Sequence, residues 1–244
     1  MSMETVDFER AALRPGMRVL DVGCGEGRHT LSAWLRAPVH AVGIDLSAQD
    51  LATARRRQAE LPPPDTAGGS VTFIEASALD LPFTDASFDM VICSEVLEHV
   101  FDHRSVLAEI RRVLKPGGTF VASVPRYGPE RLCWLLSDAY HEAPGGHIRI
   151  FRRREFERLI TGCGFRHLDT HGAHALHVPY WWLRCAAGPD EAERSRLVQL
   201  WHRLLVWDLM QAPRLTRRLE RWLSPLLGKS IVCYFERDAL PEAV

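Results

Sequence analysis

Apolar residues along this chain fall into two rhythms. Runs at 17–22, 39–45, 71–75, 89–93 and 119–124 are short, β-branched and continuous rather than alternating, which predicts strands buried on both faces. Between several of them lie stretches with helical period. The clearest spans 104–115, where Val106, Leu107, Ile110, Val113 and Leu114 make one apolar stripe. Pro116-Gly117-Gly118 then ends the helix and turns the chain toward the next strand. Strands alternating with helices in this way predict a doubly wound α/β fold with a parallel sheet covered on both faces.

The rhythm changes after residue 126. Residues 127–150 mix Gly, Pro, His and Arg and read as an irregular connection. A helix is expected over 155–163, stopped by Gly164, then a strand over 165–171. A mostly helical stretch follows over 172–228, and a last strand over 229–237 (KSIVCYFER). The Pro- and Gly-rich segment 61–69 reads as a solvent loop. Five of the seven tryptophans (Trp181, Trp182, Trp201, Trp207, Trp222) fall in 172–228, where they either pack the helical addition or line an apolar acceptor site.

Composition narrows the class. The 244 residues are 46% hydrophobic and 25% charged, ordinary for a folded domain with a sizeable core. A formal net charge of −1 supplies no global attraction to nucleic acid or anionic membrane. The six cysteines are scattered, with no metal-ligand spacing, and read as reduced and mostly buried. The first residues lack an apolar signal core, and no apolar run is long enough to span a bilayer, so the expected compartment is the cytoplasm.

The candidate chemistry begins at Asp21-Val22-Gly23-Cys24-Gly25-Glu26-Gly27, directly after the first strand. Glycines there let the chain bend sharply and let backbone N–H groups approach a ligand. The G-x-G-x-G spacing departs from the G-x-G-x-x-G diphosphate fingerprint and suits a carboxylate and amine better. Asp45 ends the second strand, where an acidic side chain accepts from ribose hydroxyls; its competing role is to cap the next helix with Ser47.

Together with AVGIDLS (41–47), LDLPFTDASFDMVICSEVLEHV (79–100) and LAEIRRVLKPGGTFVASVP (107–125), this loop makes residues 17–125 resemble the class I S-adenosylmethionine-dependent methyltransferases. The likeness is to the broad subgroup that includes quinone-biosynthesis and many small-molecule methyltransferases. It implies a Rossmann-like, mostly parallel seven-stranded sheet with a helical insertion, or lid, before the last strand. It further implies a single domain over 1–244, with 1–126 as the cofactor half and 127–150 and 172–228 on the acceptor side. The implied cofactor is S-adenosyl-L-methionine. Gly23 and Gly25 would hold its methionine part, with Asp21 near the amino group. Asp45 would take the ribose hydroxyls, Leu46 would flank the adenine, and Ala78 and Leu79 would lie along its other face. Ser94 and Glu95 would border the reaction site. Ser77 stands where the family often carries an acidic residue toward the adenine amino group; its hydroxyl still accepts a hydrogen bond.

Methyl transfer needs alignment above all, and a hydroxyl acceptor also benefits from a base. His147, in a His-x-Arg-x-Phe segment resembling the family's acceptor side, and His99, in EVLEHV, are the candidate catalytic residues; for each the competing role is structural. His171, His174 and His177 would share one helical face, and acceptor lining is preferred there to metal binding; no metal is expected. Arg214, Arg217, Arg218 and Arg221 oppose Leu215, Leu219, Trp222 and Leu223, either a solvated face over a packed one or a peripheral membrane contact through 214–223. The motif Gly228-Lys229-Ser230 lacks the first glycine of a P-loop and is rejected. The expected reaction is methylation of a small-molecule or lipid-like acceptor, most readily at a hydroxyl oxygen, with no nucleic-acid partner. The rivals are a non-catalytic binding or scaffold protein on the same fold, an RNA methyltransferase working with a partner and, third, a nicotinamide oxidoreductase, told apart by which cofactor binds.

Overall fold

Seven strands form one sheet in the order β3-β2-β1-β4-β5-β7-β6. The structure, a computed structural model, describes residues 4–62, 68–142 and 146–239. The first half runs β1 (Arg18–Val22), α1 (Arg28–Arg36), β2 (His40–Asp45), α2 (Ala48–Glu60), β3 (Ser70–Glu75), β4 (Phe88–Ser94), α3 (His103–Val113) and β5 (Leu114–Pro125). All pairs among these five strands are parallel, while the late strand β7 (Ser230–Arg237) pairs antiparallel with both β5 and β6 (Phe165–Ala173).

Continuous apolar strands follow from burial on two faces. In β7, Ile231, Cys233 and Phe235 face one core, shared with Val106, Leu107 and Ile110 of α3, while Val232 and Tyr234 face the other. The second core takes Val6, Phe8 and Ala11 from the N-terminal segment and Ala33 from α1. The strand order reverses between β1 and β4, so a crevice opens outside their carboxyl ends, the usual ligand position in an open α/β sheet.

Two expectations are corrected. The stretch 127–150 is largely helical, with α4 (Tyr127–Leu136) and α5 (Asp138–Glu142). Gly128 and Pro129 sit in the first turn of α4, where a missing N–H costs no intrahelical bond, so they start this helix rather than break it. His171, His174 and His177 do not share a helical face. His171 lies in β6, held by pairing with Val232, and His174 has left-handed backbone (φ 66°). His177 ends a single 3-10 turn, Ala175–His177.

The remaining helices are α6 (Arg153–Thr161), α7 (Val178–Ala187), α8 (Pro189–Ala192), α9 (Arg196–Gln211) and α10 (Arg214–Leu227). The last four form the helical insertion before β7. The loop expected over 61–69 lies partly outside the described residues. No described helix is long and apolar enough to cross a membrane.

Candidate active site

The glycine loop leaves β1 at the crevice, and its shape is fixed by sterics. Gly23 has φ 70°, and a Cβ there would meet Val96 Cγ2 at 2.3 Å. Only glycine fits between the loop and the segment after β4. Gly25 is also left-handed (φ 50°) but faces open space, so its surface is free for a ligand. Its N–H donates to Asp45 Oδ2 at 2.8 Å, and Ser47 N–H donates to Asp45 Oδ1 at 2.9 Å.

The capping role tested for Asp45 belongs to Ser47, whose Oγ accepts from Asp50 N–H at 3.1 Å. The Asp45 carboxylate instead bridges the ends of β1 and β2 at the mouth of the crevice. Each of its oxygens retains acceptor capacity beyond one backbone donor. Leu46 beside it is 71% exposed and Leu79 is 48% exposed, two large apolar side chains left in solvent at neighbouring strand ends. Ser77 Oγ accepts from Leu79 N–H at 3.2 Å, which shapes the turn carrying Ala78 and Leu79.

Asp21 is tied back into the fold. It is buried, and its Oδ2 accepts from Thr30 N–H at 3.0 Å and from Thr30 Oγ1 at 2.7 Å. Burial pushes its carboxyl pKa up to about 6, against the lowering effect of those two bonds. Asp21 Oδ2 therefore braces the loop by tying β1 to the first turn of α1.

The opposite wall rises from β4. Ser94 Oγ lies 2.8 Å from Ser123 Oγ, and Ser123 in turn donates to Glu95 Oε1 at 2.8 Å. Glu95 adopts φ 58°, a left-handed conformation costing a non-glycine residue roughly 1–2 kcal/mol. Strain at a strand's carboxyl end, braced by a side-chain hydrogen bond, is a device for aiming the segment that follows.

That segment meets the His-x-Arg-x-Phe stretch. Ile148 N–H donates to Glu98 O at 3.1 Å. The Arg149 guanidinium donates to Leu97 O at 3.0 Å, to Phe101 O at 3.1 Å and to Val100 O. These bonds staple residues 146–151 onto the loop after β4 and bring His147 and His99 together, ring centroids 4.9 Å apart.

His147 Nδ1 lies 2.5 Å from Glu130 Oε1, and His99 Nδ1 lies 3.2 Å from Gly146 O. Glu130, on α4, is buried and also accepts from Trp134 Nε1 and Tyr140 OH. Burial, then His147, lowers the His99 pKa. Glu98 is fully buried, and neither carboxylate oxygen has a hydrogen-bond partner. Burial, reinforced by Glu95, raises its pKa well above the usual carboxylate range.

Glu98 and Glu130 were absent from the sequence reading, although Glu98 lies within EVLEHV beside His99. Tyr140 stands edge-on to both His147 (6.2 Å) and Trp181 of α7 (5.9 Å). Trp181 also carries Lys229 Nζ over its ring at 4.7 Å. Trp182 and Trp201 donate their N–H groups to Pro129 O and Leu176 O and pack the insertion, whereas Trp207 and Trp222 are exposed. A separate cleft of about 890 Å³ lies between the N-terminal segment, the end of β6 and α10, and shares no residue with the glycine loop.

Residues 20–122 match the family model described as methyltransferase domain. The chain carries a methyltransferase domain. The chain is 40% identical over 109 residues to the O-methyltransferase rstn1 of Aspergillus nomiae, covering 45% of this chain and 47% of that protein. It is 41% identical over 137 residues to a ubiquinone biosynthesis O-methyltransferase of Hahella chejuensis, covering 55% and 54%. A solved SAM-dependent methyltransferase from Methanosarcina mazei superposes with a TM-score of 0.66 at 17% identity, covering 98% of this chain and all of that one, a likeness of fold. The chain spans about half the length of the curated relatives it matches.

S-adenosylmethionine is the cofactor of this methyltransferase domain, and the residues present fit it. The open surface at left-handed Gly25, the exposed Leu46 and Leu79, and the Asp45 carboxylate at the crevice mouth suit its amino acid, adenine and ribose parts in turn.

Proposed function

We propose that this protein methylates a hydroxyl oxygen of a small-molecule or lipid-like acceptor, using S-adenosylmethionine. The observation that carries the reading is the pairing of the Gly23–Gly25 cradle with Asp45 at the switch point of the sheet. When bound, the cofactor supplies a methyl group activated on a sulfonium. In this reading Gly23, Gly25, Asp45, Leu46, Ser77, Ala78, Leu79, Ser94 and Glu95 border the cofactor, with Asp21 bracing the loop. His147 and His99 act on the acceptor hydroxyl through their Nε2 lone pairs, each ring being anchored at Nδ1. The whole chain works as one domain, with α4, α5 and the insertion over 172–228 walling the acceptor side. Relatives named as O-methyltransferases support oxygen as the target.

Two further statements belong to the same reading. Six free cysteines and a net charge near zero suit a cytoplasmic enzyme of small molecules rather than nucleic acid. The apolar face of α10 is not packed: Leu215 is 69% and Trp222 74% exposed, and Leu226 is exposed in line with them. With Arg214, Arg217, Arg218 and Arg221 alongside, that face suits peripheral contact with an anionic lipid surface, which would deliver a lipid-like acceptor.

Calorimetric titration with S-adenosylmethionine and with NADH, on wild type and on Asp45→Ala, tests the cofactor. Micromolar binding of the first only, weakened at least tenfold in Asp45→Ala, is expected. Folded protein that binds no S-adenosylmethionine would sink the reading. Binding without transfer of labelled methyl to any member of a hydroxylated aromatic and lipid panel would instead favour the scaffold role.

A further inference from the structure

Helices α4 and α7 pack side by side, and Trp182 Nε1 of α7 donates to Pro129 O of α4 at 3.1 Å. About one turn further along each helix stand Cys133 and Cys185, and their two thiols share a hydrogen bond. We infer that this pair is a redox modification site, which a hydroperoxide closes into a disulfide joining α4 to α7. All six cysteines are free in the structure. Among the described residues no other cysteine has a second thiol as its partner.

A disulfide needs Cα atoms roughly 4.4–6.8 Å apart, and helices packed at the usual separation of about 8–10 Å bring facing Cα atoms to about that range. Thiols already in hydrogen-bond contact therefore close by side-chain rotation, with no change of fold. Both are buried but not sealed: Cys133 is 3% and Cys185 5% exposed, against 0% for Cys93 and Cys233. An oxidant little larger than water reaches the first two and not the second. Cys24 and Cys163 keep some exposure as well, but neither has a thiol beside it to complete a disulfide.

The hydrogen bond divides the chemistry between the two sulfurs. Donated by Cys133, it lowers the Cys185 thiol pKa; burial and Glu130 oppose the lowering, and Arg184 and Lys229 add to it. The same bond, followed by burial, raises the pKa of Cys133. Cys185 is therefore the attacking thiolate. Its sulfur bonds to one peroxide oxygen as the O–O bond breaks, and the other oxygen leaves as water with the Cys185 proton. The Cys133 sulfur then displaces the remaining oxygen from Cys185. The S–S bond forms, and that hydroxyl departs as a second water with the Cys133 proton. The two sulfurs lose two electrons and hydrogen peroxide gains them. Resting on the methyltransferase reading, the link ties α7, whose Trp181 meets Tyr140, to α4, whose Glu130 holds His147, and so slows passage of the acceptor.

The test is treatment of the reduced full chain with a small molar excess of hydrogen peroxide, then alkylation, tryptic digestion and mass spectrometry without reductant. Expected are one crosslinked peptide pair joining Cys133 to Cys185, a Tm higher by at least about 4 °C, and reversal of both by dithiothreitol. Cys133→Ala should stop at a sulfenic acid on Cys185 that dimedone labels. Cys185→Ala should give neither a link nor a dimedone label at Cys133. If folded wild type keeps both thiols open to alkylation after peroxide, or links other cysteines instead, the site is overturned. S-adenosylmethionine titration and labelled-methyl transfer on the reduced and oxidised forms separate the two ideas. Transfer should be severalfold slower in the oxidised form, at unchanged cofactor affinity, and recover with dithiothreitol. A link formed in protein that binds no S-adenosylmethionine leaves this site standing and removes the methyltransferase reading; transfer by a protein that forms no link does the opposite.

Discussion

Gly23 and Glu95 hold the two sides of the crevice with left-handed backbone, one at no steric cost and the other braced by Ser123. Gly23→Ala should therefore act twice, through its φ of 70° and through the 2.3 Å approach of its Cβ to Val96 Cγ2. A stability loss of about 2–4 kcal/mol is expected, with at least tenfold weaker S-adenosylmethionine binding by calorimetry. Val96→Ala added to it should restore part of the stability and leave the φ strain. At this scale the placement of the glycine loop and Asp45 beside one another was legible, because both are local signals tied to strand ends. For Asp21 the sequence shows a position on a strand but not that one carboxylate oxygen turns onto Thr30. Glu130 was illegible for another reason: it reaches His147, 17 positions further along the chain, from a helix whose Gly128-Pro129 start looked irregular.

The His-x-Arg-x-Phe stretch shows how one guanidinium organises a segment without regular structure. Arg149 satisfies carbonyls of Leu97, Val100 and Phe101 that no strand or helix uses. Arg149→Ala should cost about 2–3 kcal/mol, read as a Tm lower by roughly 5–10 °C. Lysine should restore less than half, since a point charge cannot bridge three carbonyls as a planar fork does. In α10 the prediction runs the other way. Trp222→Ala should leave Tm within about 2 °C, its side chain being 74% exposed. It should also reduce co-sedimentation with phosphatidylglycerol vesicles severalfold, and unchanged sedimentation would remove the membrane contact. The amphipathic pattern of α10 was readable in advance. Whether its apolar face met protein or solvent depended on neighbours that no period reveals.

Across the whole molecule, titration links the N-terminal segment to both ends of the chain's fold. Thr5 N–H donates to His29 Nε2 at 3.3 Å, and Thr5 Oγ1 lies 3.1 Å from His174 Nε2. Burial depresses both imidazoles to a pKa of about 3. Between that value and the ordinary 6.5 the unfolded chain binds more protons, so stability falls as pH drops below about 6.5. Asp21, raised to about 6 from 3.8, works in the opposite sense over its own window, gaining stability as pH falls from about 6 to about 4. Two histidines against one carboxyl leave a net loss of about 2 kcal/mol between pH 7 and pH 5. Thermal unfolding at the two pH values checks this, and His174→Gln should remove most of the dependence, because Asp21 then offsets most of what His29 contributes. The sheet itself was well read: each of the seven strands overlaps an expected one, although β5 begins at Leu114, ahead of the Pro116-Gly117-Gly118 turn expected to precede it. The histidine series near 171–177 failed because strand pairing with β7, a contact remote in sequence, overrides a helical period.

The antiparallel strand β7 lies between β5 and β6, yet it is the last of the three to be synthesised. At translation rates of roughly 5–20 residues per second, the outer edge of β5 waits roughly 5–20 s for its partner. During that interval a nascent chain exposes the bare edge of a hydrophobic strand, an invitation to pair with a neighbour on the same message. Yield in cells should thus depend on chaperone supply and growth temperature more steeply than the stability of the finished protein would suggest.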